Sequence, residues 1–134
     1  MADAIWNNRF ILADPGKNET VLFSGNINAA NTTGTLSEPI TNFKRIRVLY
    51  GLRFNASPKF YDEFPADKIE FYCSKQCYQD SNVLTCGGQF NISGTTITLV
   101  TWFQVVGTTV TANSGQYYLA IKEVVGIDRV SGGN

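Results

Sequence analysis

The sequence predicts an all-β fold, an antiparallel β-sandwich of jelly-roll-like type in a single domain, and three observations carry that prediction. The first is Phe43–Tyr50, FKRIRVLY, where Ile46, Val48 and Tyr50 fall on one side of an extended chain and Arg45, Arg47 and Leu49 on the other. Alternation with period two marks a strand with one buried face. The second is a series of short apolar runs parted by Gly, Asn, Ser and Pro, with no sustained 3.6-residue pattern between helix caps. The third is composition. At 134 residues and 43 % hydrophobic the chain can bury one real core, yet only 16 % is charged. Thr, Asn, Ser and Gly fill the difference, and they favour strands and turns over helices.

Taken in order, residues 1–19 form an irregular N-terminal segment broken by Asp14-Pro15-Gly16. Thr20–Phe23 is a first strand closed by Ser24-Gly25-Asn26, and Asn28–Gly34 is a polar loop. Thr35–Ser37 is a short strand ending at the Glu38-Pro39 turn, before the strong strand Phe43–Leu52. Asn55–Asp67, with Pro58 and Pro65, is the longest irregular stretch. Lys68–Ser74 resumes alternation, Ile69, Phe71 and Cys73 against Glu70 and Tyr72. Gln76–Gly88 is rich in turn residues. Gln89–Ile92, Thr95–Val106 and Thr108–Ala112 are strands, the last two a hairpin about Gly107. After a turn at Asn113-Ser114-Gly115, Gln116–Ile127 is the final strand. The sandwich domain is thus placed at residues 20–128, with a flexible tail at 129–134. No second domain, linker or repeat is visible.

Charge and residue inventory restrict the function classes. Eleven basic and eleven acidic residues cancel, which argues against a nucleic-acid binder working by broad phosphate neutralisation. The chain has no histidine, so Ser–His and Cys–His nucleophile pairs are excluded, as is the commonest metal ligand. The P-loop, dinucleotide and HExxH patterns are absent. The first residues, MADAIWNNRFILADPG, lack a basic n-region and a signal-length apolar stretch, and nothing approaches the ~20 apolar residues of a membrane helix. A soluble protein made in a cytosol without membrane insertion is expected. The sequons at Asn18, Asn31, Asn55 and Asn91 follow from a chain rich in Asn and Thr.

Three groups of residues could carry chemistry. Cys73, Cys77 and Cys86, with Asp80 as a conceivable fourth ligand, fall short of a structural zinc set; free thiols are expected before a disulfide, and Cys73 is expected in the core. No metal and no cofactor is expected. Phe60, Tyr61, Asp62 and Glu63 (with Phe64 and Asp67) cluster in the long irregular stretch. Aromatic rings that stack on sugar faces and carboxylates that accept hydroxyl hydrogen bonds make this the candidate ligand-binding loop, against the plainer role of a loop anchored by aromatic side chains. A glycosidase would need two carboxylates facing each other, which a sequence does not show. Arg45 and Arg47, beside Lys44, suit cross-strand pairing with Glu70 better than an acidic polymer. Trp102, with Val100 on the same apolar strand, is expected in the core or at an oligomer interface.

Three spaced pieces also resemble a known kind of protein. They are Leu22-Phe23-Ser24-Gly25; Gly34-Thr35-Leu36-Ser37-Glu38 with Asn42-Phe43, Ile46, Val48 and Tyr50-Gly51; and Lys122 with Gly126-Ile127. Their order and spacing resemble the small β-rich modules of bacteriophage tail-fibre, baseplate and related virion structural proteins, over most of residues 20–128. The resemblance implies a non-enzymatic virion component with no catalytic residues, synthesised in the bacterial host cytoplasm. It further implies a homo-oligomer, a trimer foremost, that contacts other virion proteins and takes part in attachment to the host surface, including its glycans. A stand-alone lectin-like carbohydrate-binding module is the alternative, and a carboxylate-dependent glycan hydrolase the weaker one.

Overall fold

The computed structural model describes residues 18–52, 59–79, 81–113 and 119–130. Expectations for the N-terminal segment before Asn18, the turn residues 114–115, the start of the last strand and the tail beyond residue 130 lie outside them, whereas Arg129, expected in a flexible tail, belongs to the last strand. Among the described residues nine strands run β1 (Glu19–Ile27), β2 (Thr32–Thr35), β3 (Phe43–Leu52), β4 (Lys59–Pro65), β5 (Glu70–Gln79), β6 (Asn82–Ser93), β7 (Thr96–Val106), β8 (Thr109–Ala112) and β9 (Leu119–Arg129), with a 3₁₀ turn at Ile40–Asn42. They form two antiparallel sheets. One has the order β1-β9-β3-β4; the other has β2-β7-β6-β5, with β8 beside β7. The chain is an all-β sandwich, and its β5–β8 segment is a meander of successive hairpins within one sheet.

The core lies between the sheets. Ile46, Val48 and Tyr50 of β3 are fully buried, as their alternation requires, and meet Leu119, Ile121 and Val124 of β9. The opposite sheet supplies Phe71 and Cys73 from β5, Leu84, Cys86, Phe90 and Ile92 from β6, and Ile97, Leu99 and Trp102 from β7. Phe71 and Phe90 stack at 5.1 Å, and Phe64 from β4 meets both edge-on at 5.4 and 5.7 Å. Edge-on and stacked geometries suit the ring quadrupole, so this trio joins the two sheets through preferred contacts.

Several boundaries differ from expectation for physical reasons. Ser24-Gly25-Asn26 does not close β1, because register shifts against β9 after Val21 and after Ser24 absorb the extra residues and the strand runs on to Ile27. The polar loop to Gly34 ends early, since Thr32–Thr35 pairs with Thr96–Leu99. The long irregular stretch contains β4, paired with β3 from Gly51↔Lys59 to Arg45↔Pro65. The turn-rich segment from Gln76 to Gly88 is instead the hairpin of β5 and β6, reversed near Ser81, which takes φ 64°. Ile69 precedes β5 and is 64 % exposed, so it leaves the buried face of Phe71 and Cys73. Gly126, paired with Ile46, lies beneath the Phe43 ring, where a Cβ would come within 2.6 Å of ring carbons. Arg129 covers the same ring at 4.5 Å and forks onto Glu38 at 2.7 and 3.0 Å.

Candidate functional site

The strand periodicity of β4 divides the expected ligand loop between two faces. Phe60 and Asp62 stand opposite the buried Tyr50 and Val48, and so face inward. Tyr61 and Glu63 stand opposite Leu49 and Arg47, and face outward. Phe60 and Phe64 pack on the core. Asp62 accepts a hydrogen bond from the Tyr50 hydroxyl and pairs with Lys75 Nζ on β5 at 2.8 Å. It therefore ties one sheet to the other at the side where edge strands β4 and β5 meet. Burial first, then the bond to Asp62, pushes the Tyr50 phenol far above its ordinary range, which keeps it a protonated donor. Burial, followed by the Asp62 charge, pushes the neighbouring Cys73 thiol up to about 12. Asp62 and Glu63 thus point to opposite faces, and do not flank one cleft as a pair of hydrolytic carboxylates must.

The outer face of the four-stranded sheet is an ion-pair surface. Arg47 forks onto Glu19 at 2.7 and 2.9 Å and lies 5.4 Å from the Tyr61 ring centre. Arg45 joins Glu63 at 2.7 Å and Asp128 at 3.2 Å. The arginines are cross-strand partners as expected, but their acids come from β1, β4 and β9. Glu70 sits in the other sheet and accepts from the Tyr72 hydroxyl at 3.1 Å. The Arg47–Glu19 pairing lowers the Glu19 pKa, the hydrogen bond being the main cause. Among the described residues these charges satisfy one another.

The outer face of the five-stranded sheet is different in kind. The register places Tyr72, Gln89 and Thr101 in one row; Ser74, Gly87, Phe103 and Ala112 in the next; then Gln76, Thr85, Val105 and Val110; and Tyr78 beside Val83 at the end. None of these outward residues is charged. Tyr72, Tyr78, Val83 and Val110 are each between 59 and 75 % exposed. The face has two parts. At the end bearing the β5–β6 and β7–β8 turns, Tyr78, Val83, Val105 and Val110 make an apolar patch. In the middle lies a cleft of about 300 Å³, lined by Tyr72, Cys73, Ser74, Gly88, Gln89, Thr101 and Phe103; the side-chain position left bare on this face is that of Gly87, whereas Gly88, in register with the buried Cys73 and Trp102, turns its own toward the core and offers its backbone. A Cβ at Gly87 would stand 2.2 Å from the Cys73 carbonyl oxygen, and one at Gly88 2.1 Å from that of Thr101. Only glycine fits where these strands approach so closely.

Trp102 is 2 % exposed, covered within a single chain, and so belongs to the core. Val100 is the extra residue of a bulge opposite Gln89 and Phe90, half-buried at the margin of the cleft face. Cys73 and Cys86 are buried within the sandwich; Cys86 pairs in register with Lys75 and Cys73 with Gly88. Among the described residues no cluster of Cys, Asp and Glu could hold a metal ion; the Cys77 side chain and Asp80 lie outside them. The sequence missed Tyr78, Val83 and Gly87 as features of the outer face because their segment reads as turns. Carrying the Phe71/Tyr72 alternation forward to Tyr78 was the signal that would have found them. No protein-family model matches the chain, and no curated protein is similar to it in sequence.

Proposed function

We propose that this chain is a non-enzymatic structural module of a virion, of bacteriophage tail-fibre or receptor-binding type, that assembles with copies of itself and contributes to host-surface attachment. The observation that carries the reading is the apolar patch of Tyr78, Val83, Val105 and Val110. A charge on such a patch would lose its water when copies dock, and this patch has none. Its exposed valines and tyrosine are the residue types that the core of an interface buries. The resemblance to virion modules supports the reading further. Two of its glycines, Gly34 and Gly126, sit beneath Phe23 and Phe43, the aromatic residues of the same motifs.

Light scattering on the purified protein at micromolar concentration tests the assembly. An oligomer is expected, a trimer foremost, and Val83→Lys with Val110→Lys should return it to monomer without loss of fold, because both side chains are more than half exposed. A wild-type chain that stays monomeric across that range sinks the proposal. A stand-alone lectin-like module is the second reading, favoured by the aromatic cleft beside the patch. Saccharide binding by a chain that never assembles would select it.

A further inference from the structure

We infer that the Gly87–Gly88 cleft on the outer face of the five-stranded sheet is a subsite for one neutral sugar residue of a glycan. The inference deepens the attachment role proposed above and rests on it for its biological setting alone. Four features of the cleft point to this chemistry. Its walls are two aromatic rings, Tyr72 from β5 and Phe103 from β7, in adjacent rows on either side of β6. Such rings offer flat apolar faces to the axial C–H groups of a pyranose. Its floor is glycine on the middle strand, so a ligand can approach the backbone itself. Its rim carries hydroxyl and amide groups of the kind that read sugar hydroxyls: Ser74, Thr101 and Gln89. Its size, about 300 Å³, lies at the small end of small-molecule sites, suited to one ring rather than to a cofactor.

The rim is also ordered. Gln89 donates to Asn91 Oδ1 at 2.9 Å, Thr101 Oγ1 donates to Asn113 Oδ1 at 2.8 Å, and Tyr72 donates to Glu70 at 3.1 Å. Holding these side chains in place before binding reduces the ordering cost that weakens saccharide recognition. The lining residues are uncharged, so a neutral ring is favoured over an acidic one. Glu70, the nearest carboxylate on this face, repels an anionic sugar while leaving a neutral one unaffected.

The test is nuclear magnetic resonance on the isotope-labelled chain, titrated with the methyl glycosides of glucose, galactose, mannose and N-acetylglucosamine, and with glucuronic acid as the charged comparison. At least one neutral glycoside should move the Gly87, Gly88 and Thr101 amides, with saturation transfer to its ring protons. Tyr72→Ala should weaken that binding about five- to tenfold, the worth of one lost ring contact. Tyr72 is 64 % exposed, so the rest of the amide spectrum should stay in place and report an intact fold. The inference is overturned if no neutral glycoside moves those amides up to about 10 mM, well above a millimolar Kd, if glucuronic acid binds as well, or if Tyr72→Ala binds like wild type. The monomeric Val83→Lys, Val110→Lys variant separates the two claims: sugar binding that survives in it supports the cleft independently of assembly, and an oligomer that binds no sugar removes the cleft alone.

Discussion

Replacing Asp62 with Ala should be among the most damaging single changes on the surface side of this protein, although the residue reads in sequence as a solvated loop acid. The carboxylate is only 26 % exposed, and it holds two partners from different strands. Removing it strands the Tyr50 hydroxyl at 0 % exposure, and a buried polar group left unpaired costs about 1–3 kcal/mol. It also strands the Lys75 ammonium, whose side chain is 34 % exposed and keeps its water, so that loss is below about 1 kcal/mol. The sum is about 1–4 kcal/mol, against the ~5–15 kcal/mol total of an ordinary domain. Tyr50→Phe alone should cost about 1–2 kcal/mol, and Lys75→Met less than about 1.

Urea unfolding followed by the fluorescence of buried Trp102 reads these values. With a slope of about 1.5 kcal/mol per molar for a chain of this size, Asp62→Ala should lower the midpoint by roughly 0.7–2.7 M. The decisive measurement is the double variant. Tyr50→Phe with Asp62→Ala has no stranded hydroxyl, so it should be more stable than the sum of the two single losses by about 1–2 kcal/mol. Strictly additive losses, or an Asp62→Ala cost no larger than that of Lys75→Met, would refute the inter-sheet role.

Further outcomes concern protons, thiols and packing. Tyr50 and Cys73 both have raised pKa values when folded, so the unfolded chain alone releases their protons as pH climbs past the ordinary thiol value of 9.0 and the phenol value of 10.0. Stability should be complete below about pH 9 and fall above it, with a shallower fall in Tyr50→Phe, as urea midpoints across pH would show. Glu38 is lowered to about 2 by the Arg129 fork and then by Asn42. Its contribution should be present above pH 4.5 and fade as pH falls toward 2, an acid limb that Glu38→Gln flattens. Native Cys73 should resist iodoacetamide at pH 8 and react only when urea unfolds the chain, as peptide mass spectrometry resolves. Gly126→Ala should cost about 1–3 kcal/mol by driving Phe43 off its site, and Phe43→Leu in the same chain should recover part of the loss in thermal unfolding.

The strands legible in the sequence are those whose alternation follows local burial. β3 announces itself because Ile46, Val48 and Tyr50 are all apolar and all inward. The β7–β8 hairpin is legible from its turn instead, where Gly107 takes φ 60°; β8 itself has no buried residue. β4 was hidden because its inward row is Phe60, Asp62, Phe64. A carboxylate on a buried face breaks the pattern, and its compensation comes from Tyr50 and Lys75, partners that no local window contains. β5 beyond Ser74 and β6 before Gln89 are hidden by the opposite circumstance. Their outer face is neither charged nor continuously apolar, and mid-strand Gly87 and Gly88 resemble a turn although their close backbone approach belongs to a paired strand. The ligand cluster read from Phe60 to Glu63 assumed a loop, and once those residues lie in a strand they cannot converge.

The two outer faces suggest why one sandwich carries such different surfaces. Around the four-stranded sheet, Glu19, Arg47, Arg45, Glu63 and Asp128 consume one another's charge. A second molecule docking there would have to break pairs that are already made, for little gain. Around the five-stranded sheet nothing must be broken, and burial of valine and tyrosine is available at once. Association by strand addition is opposed at the β4–β5 side, because Asp62 and Lys75 turn charges inward on both edge strands there. Among the described residues the surface chemistry therefore favours contact face to face through the rows from Tyr72 to Tyr78. Along those rows the apolar end suits a flat partner such as another copy of the chain, whereas the glycine-floored middle suits a small ring. Assembly at the end of the sheet would leave the cleft open, and repetition of that cleft around an oligomer would turn weak single-sugar binding into avid attachment.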